Sequence, residues 1–113
     1  MITITMVLDE SGLLKSCDIR GHAGAGKRGT NIVCAAVSVL ARTALKVLND
    51  KEGIIVRGKA EQRGTLFLET EARDSEDKDY LEAVGTYLIE GLTSVAEEFP
   101  QYCSITITGK RRN

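Results

Sequence analysis

The chain has 113 residues, 42% of them hydrophobic and 27% charged, which suits one soluble globular core and leaves no room for two. Tryptophan is absent and aromatics are only 4%, which excludes an aromatic stacking platform for single-stranded nucleic acid. The formal net charge of −1 is unevenly spread: residues 1–57 carry eight Lys and Arg against five Asp and Glu, residues 58–113 seven against eleven.

Three cysteines, Cys17, Cys34 and Cys103, form no C-x-x-C pair and are odd in number. That argues against a disulfide framework and for a reducing compartment. No basic region precedes the apolar residues of Met1-Ile2-Thr3-Ile4-Thr5, so the N-terminus does not read as a signal peptide. No apolar run is expected to reach the length of a membrane span, so the cytoplasm is the expected location.

Residues 2–9 alternate, with Ile2, Ile4, Met6 and Leu8 on one face and Thr3, Thr5 and Asp9 on the other. This predicts a half-buried strand. Asp9-Glu10-Ser11-Gly12 is a turn, and a second strand follows from Leu13 to about Gly21, with Leu13, Cys17 and Ile19 inward. A loop with four glycines between Gly21 and Gly29 leads to a helix expected to start near Thr30 or Asn31, both good N-caps, and to end near Asn49. Its core stripe is predicted as Ile32, Ala36, Val39, Leu40, Thr43 and Val47, with Cys34 on nearly the opposite side. Val37, Ala41 and Leu45 are apolar outside that stripe, which suggests a second contact surface, such as another subunit.

Two further strands, Ile54–Ala60 and Thr65–Ala72, read as a second hairpin. A second helix is expected over residues 77–99, with Leu81, Val84, Leu88, Leu92, Val95 and Phe99 inward, and Pro100 ends it. The last strand is Tyr102–Thr108, with Cys103, Ile105 and Ile107 inward. The order is ββαββαβ over a single domain, residues 1–113. It predicts an α+β two-layer sandwich, with two helices on one face of a mostly antiparallel five-strand sheet.

Chemistry concentrates around the glycine loop. Cys17 and Cys103 fall on inward strand positions, where cysteine acts as a small inert core residue. Cys34 is expected in the first turn of a helix, where free amides and the macrodipole favour a thiolate. Arg20, Lys27 and Arg28 add positive charge nearby. His22, the one histidine, sits twelve residues before Cys34, across a strand-loop-helix crossing that can bring the two together. A Cys-His pair is the minimum for nucleophilic acyl transfer, with the amide of Cys34 or a helix neighbour available to the oxyanion.

Two other readings use the same residues. Gly21-His22-Ala23-Gly24-Ala25-Gly26-Lys27 matches G-x-x-x-x-G-K, but Arg28 stands where a magnesium-binding Ser or Thr belongs. Cys17, Cys34, Cys103 and His22 have the ligand count of a zinc site without its paired close spacing, so no metal is expected.

Gly21-His22-Ala23, the glycine-bearing loop, and Ile32-Val33-Cys34-Ala35-Ala36-Val37-Ser38 together resemble the signature of the bacterial ribosomal-processing cysteine protease family. The likeness covers the whole chain. It implies a small α/β fold that forms homodimers, a cysteine endopeptidase with a Cys34–His22 dyad, and no cofactor. The implied substrate is the short N-terminal extension of a ribosomal protein precursor, the twenty-seventh protein of the bacterial large subunit. The implied loop is mobile and closes over substrate. Ser38 matches a serine of the motif and, with Gly21 and Asn31, is a candidate supporting or substrate-binding residue. Asn31 stands where the family commonly has aspartate; it serves equally as a helix cap but lacks the charge to orient His22. The competing reading is a non-catalytic ribosome-assembly or binding factor, suggested by the basic loop and the tail Lys110-Arg111-Arg112. The protease reading expects no membrane association and no direct nucleic-acid recognition, whereas the competing reading expects salt-sensitive association with ribosomal particles.

Overall fold

The computed structural model describes residues 1–21, 28–62 and 65–110, without the side chains of residues 28–31 and 60–62. Seven elements follow in the expected order: β1 (Ile2–Leu8), β2 (Leu14–Arg20), α1 (Arg28–Asn49), β3 (Ile54–Gln62), β4 (Thr65–Ala72), α2 (Ser75–Glu98) and β5 (Cys103–Thr108). The five strands make one sheet in the order β3-β4-β2-β1-β5. Three pairings are antiparallel, and β5 runs parallel to β1 at the edge. Both helices cover one face, as the alternation of the strands requires.

Alternation in β1 is kept throughout: Ile2, Ile4, Met6 and Leu8 are buried while Thr3 and Thr5 are exposed. The pairing of β1 with β2 slips between Val7 and Leu8, where an extra residue bulges out of β2. The bulge shifts the parity of the strand. Leu14 and Cys17 therefore share the core face although their numbers differ by three. A buried hydrogen bond, donated by the Thr70 hydroxyl of β4 to the Leu14 carbonyl at 2.6 Å, holds this end of β2.

Helix α2 begins after Asp74 and packs through Leu81, Leu88 and Leu92, three of its predicted inward residues. Gly85 and Ala96 lie on the same buried stripe. A methyl at Gly85 would come within 3.2 Å of Leu14, so the small residue sets how closely α2 approaches β2. Lys51 and Asp77 pair at 3.8 Å, tying the turn after α1 to the start of α2.

Helix α1 departs from expectation in three ways. It begins at Arg28, so Thr30 and Asn31 lie within its first turn and neither caps it. Its buried stripe is Val33, Val37, Ala41, Ala44 and Leu48, whereas Ile32 is 54% and Val39 65% exposed. The sheet-facing side is thus rotated from the predicted one by roughly 110° about the helix axis, at 100° per residue. Finally, Ile32–Asn49 has the length and apolar composition of a membrane span, contrary to expectation. The cause is the same: α1 carries two apolar stripes, one packed on the sheet and one open.

Candidate active site

The corrected orientation of α1 brings Cys34 to the sheet and does not turn it away. Cys34 lies on the flank of the buried stripe and is half-buried against the main core. It opens into a cleft between α1 and the ends of the central strands. Ile2, Ile19 and Leu66 come from the sheet, Val37 and Ala41 from the helix, and together they form an apolar floor. Gly21, Ser38, Arg42 and Thr65 supply the polar groups around it. The cleft holds about 20 Å³, room for roughly one water molecule, so a peptide would lie across it and not inside it.

Cys34, Ser38 and Arg42 are spaced four residues apart on α1 and therefore form one row along the helix. The opposite wall ends at Gly21, directly after β2. Gly21 has φ of +135°, a conformation that L side chains rarely adopt. A Cβ there would collide with the Met1 carbonyl oxygen and come 2.8 Å from the Ile2 Cα. The chain thus leaves β2 pressed against the backbone of β1, and only glycine permits that exit.

The structure brings Gly21, Cys34 and Ser38 of the predicted set to one cleft. Asn31 lies on α1, one turn before Cys34, with its side chain outside the described residues. His22 and the loop to Lys27, including most of the G-x-x-x-x-G-K match, also lie outside them. Arg42 and Thr65 were not among the predicted site residues. The signal for Arg42 was present in its helical spacing from Cys34; Thr65 reaches the site only through the pairing of β4 with β2.

Two electrostatic expectations change. Cys34 is the seventh residue of α1, beyond the four free first-turn amides, so its own N–H is committed to the helix and unavailable to an oxyanion. Arg20 is paired with Asp18, Nε to Oδ1 at 3.2 Å, and does not line the cleft. Among the described residues, Arg42 is the cation that does.

All three cysteines are free thiols. Burial, reinforced by the Asp18 charge, pushes the Cys17 thiol up to about 12, and burial also raises that of Cys103. Both therefore stay protonated and unreactive at neutral pH. Among the described residues, no group of three or more His, Cys, Asp or Glu could hold a metal ion.

A family model described as cysteine protease Prp matches residues 1–104. No curated protein sequence matches the chain. Among solved structures, SMU.848 from Streptococcus mutans superimposes with a TM-score of 0.82 and 27% identity, covering 97% of this chain and 96% of that one. A ribosomal processing protease Prp from S. aureus in complex with a substrate peptide gives 0.80 and 18%, covering 96% and 100%. The same protease with a covalently linked product peptide gives 0.75 and 19%, covering 97% and 100%. The S. aureus likenesses establish the shared fold.

Proposed function

Since this chain belongs to the cysteine protease Prp family and is a cysteine protease, we propose that Cys34 is its nucleophile and His22 the base that works with it. The substrate in this reading is the N-terminal extension of a ribosomal protein precursor, the twenty-seventh protein of the bacterial large subunit. The S. aureus protein of the same fold is a ribosomal processing protease bound to a substrate peptide, which supports that class of substrate. Its covalently linked product supports a covalent route.

The observation that carries the dyad is the cleft itself. Cys34 stands on one wall, and Gly21, the residue immediately before His22, ends the other. One peptide bond separates the Cα of His22 from that of Gly21 by ~3.8 Å. The chain thus leaves β2 at the wall across the cleft from Cys34, which supports the reading that the next residue works with the sulfur.

Chemistry follows from the pair. His22 takes the thiol proton, and the Cys34 thiolate attacks the scissile carbonyl carbon. The tetrahedral intermediate collapses to a thioester as the C–N bond breaks, and His22-H⁺ gives its proton to the leaving amine. Water, deprotonated by His22, then hydrolyses the thioester and restores the thiol. Ser38, one turn from Cys34, offers a hydroxyl to the bound peptide at this step.

The second, open stripe of α1 supports a homodimer. Val39, Leu40, Thr43 and Val47 line a groove of about 550 Å³ with Val84 and Tyr87 of α2, and Tyr87 is 74% exposed. Exposed apolar groups gathered in one place mark an interaction surface. A substrate made for the ribosome puts the enzyme in the cytoplasm.

The test is incubation with the host's own precursor, followed by mass spectrometry. The expected result is a shorter product, lost in Cys34→Ala and His22→Ala, each slowing kcat/KM by about 10³ or more. Undiminished cleavage by either variant ends the dyad assignment.

A further inference from the structure

We infer that Arg42 is a specificity-determining residue, which selects for a negatively charged or carbonyl-bearing peptide side chain a few residues from the scissile bond. The inference rests on the proposal that the peptide is cut at Cys34. Arg42 lines the same cleft and forms no ion pair with any described residue. Among the described residues that line the cleft, it is the one charged side chain. The floor beside it, Ile19, Val37, Ala41 and Leu66, is apolar and offers a peptide no polar partner from its side chains.

Spacing sets where it acts. Arg42 lies eight residues beyond Cys34 on α1, a rise of ~12 Å. Long helical side chains lean toward the preceding turn, which brings the guanidinium back toward Ser38. An extended peptide advances ~3.3 Å per residue. A peptide with its scissile bond at the sulfur and its length along the row of Cys34, Ser38 and Arg42 therefore places a residue two to four positions from that bond at the guanidinium. The guanidinium has five N–H donors and no acceptor, so it welcomes a carboxylate or amide oxygen and repels a cation. Arg42 is exposed, so the preference it confers is modest and weakened by salt.

The experiment uses ten-residue fluorogenic peptides that span the precursor's cleavage junction. Positions two to four on each side of the bond are replaced in turn by Glu, Ala or Lys. At low salt, wild-type protein is expected to prefer Glu to Lys by about fivefold or more in kcat/KM at one or two of these positions, on one side of the bond. The difference should sit in KM, and Arg42→Glu should reverse the order. The same peptides are titrated by fluorescence anisotropy onto Cys34→Ala and Cys34→Ala/Arg42→Glu proteins, which reads recognition without turnover. A Glu-to-Lys ratio equal in both backgrounds at every position overturns the inference, as does a lack of binding by all the peptides. Binding with the expected preference but no turnover by wild type counts against the Cys34 reading and leaves the role of Arg42 standing.

Discussion

Gly21 and Met1 touch where β2 ends: the space that a side chain at position 21 would need is occupied by the Met1 carbonyl. Ile2, the next residue, is both a core residue and part of the cleft floor, and its amide is fixed by a 2.8 Å bond to the Tyr102 carbonyl. The obstruction therefore cannot simply move aside. Gly21→Ala is expected to cost about 1–3 kcal/mol from its backbone conformation alone. Because Gly21 also lines the cleft that holds Cys34, cleavage should fall by more than the loss of folded protein explains. Thermal denaturation and kcat/KM measured on the same sample check this. An alanine variant with unchanged activity would show that the exit of the chain from β2 does not matter to the site.

The three thiols should differ in reactivity. Cys34 is half-buried at the cleft, whereas Cys17 and Cys103 are buried in the sheet. Iodoacetamide at pH 7.5 is expected to label Cys34 alone in folded protein and all three in denaturant, as read by peptide mass mapping. Rapid labelling of Cys17 in folded protein would contradict the packing described for β2.

The raised Cys17 thiol also fixes a pH dependence. Its ordinary value is 9.0, and in the folded protein it is about 12. Below pH 9 the thiol is protonated in both states and contributes no slope. Between about pH 9 and 12 the unfolded chain loses the proton and the folded one keeps it, so stability falls as pH rises, by ~1.4 kcal/mol per unit. Urea melts from pH 8 to 10.5 should show this decline, and Cys17→Ala, less stable at neutral pH, should show a shallower one.

The order of elements and the inward faces of β1 and α2 were legible because each carries one apolar face, which fixes its orientation. Helix α1 was not, because Val33, Val37, Ala41, Ala44 and Leu48 compete with Ile32, Val39, Leu40 and Val47 for the sheet. Hydrophobicity favours the second set, with its larger side chains. Close packing on the sheet uses the first, whose alanines allow the helix to approach. Leu48→Ala should therefore cost about 2–5 kcal/mol, while Val39→Ala stays within about 0.5 kcal/mol for the monomer. Denaturant midpoints for the two variants separate the alternatives, and the reverse ranking would restore the predicted stripe.

The same rotation explains what was legible of the site. Cys34 and Ser38 stand out as motif residues, but the sheet residues that meet them, Ile2 and Leu66, are revealed only by strand pairing. Ser38 lies one turn from Cys34 in the same cleft, where a peptide crossing it would meet the hydroxyl. Ser38→Ala is expected to lower kcat/KM by about tenfold with little change in stability, and Ser38→Thr, which keeps the hydroxyl, by less. Equal losses in both variants would mean that volume matters at this position and the hydroxyl does not.

The open stripe of α1 gives the last prediction. Ile32, Val39 and Tyr87 are all more than half exposed, and the groove lined by Val39 and Tyr87 runs between α1 and α2. Leaving these side chains in water forgoes the stabilisation that burial gives, roughly 25 cal/mol per Å². A second copy would cover them, and a self-complementary patch is what a two-fold interface requires. Sedimentation equilibrium at tens of micromolar should therefore give twice the chain mass of 12.3 kDa. Val39→Asp and Tyr87→Asp should shift the protein to monomer, because each would put a carboxylate in the apolar groove. Their circular dichroism should be unchanged, since neither residue belongs to the buried core. Wild-type protein sedimenting at the mass of one chain would leave the groove without a second copy.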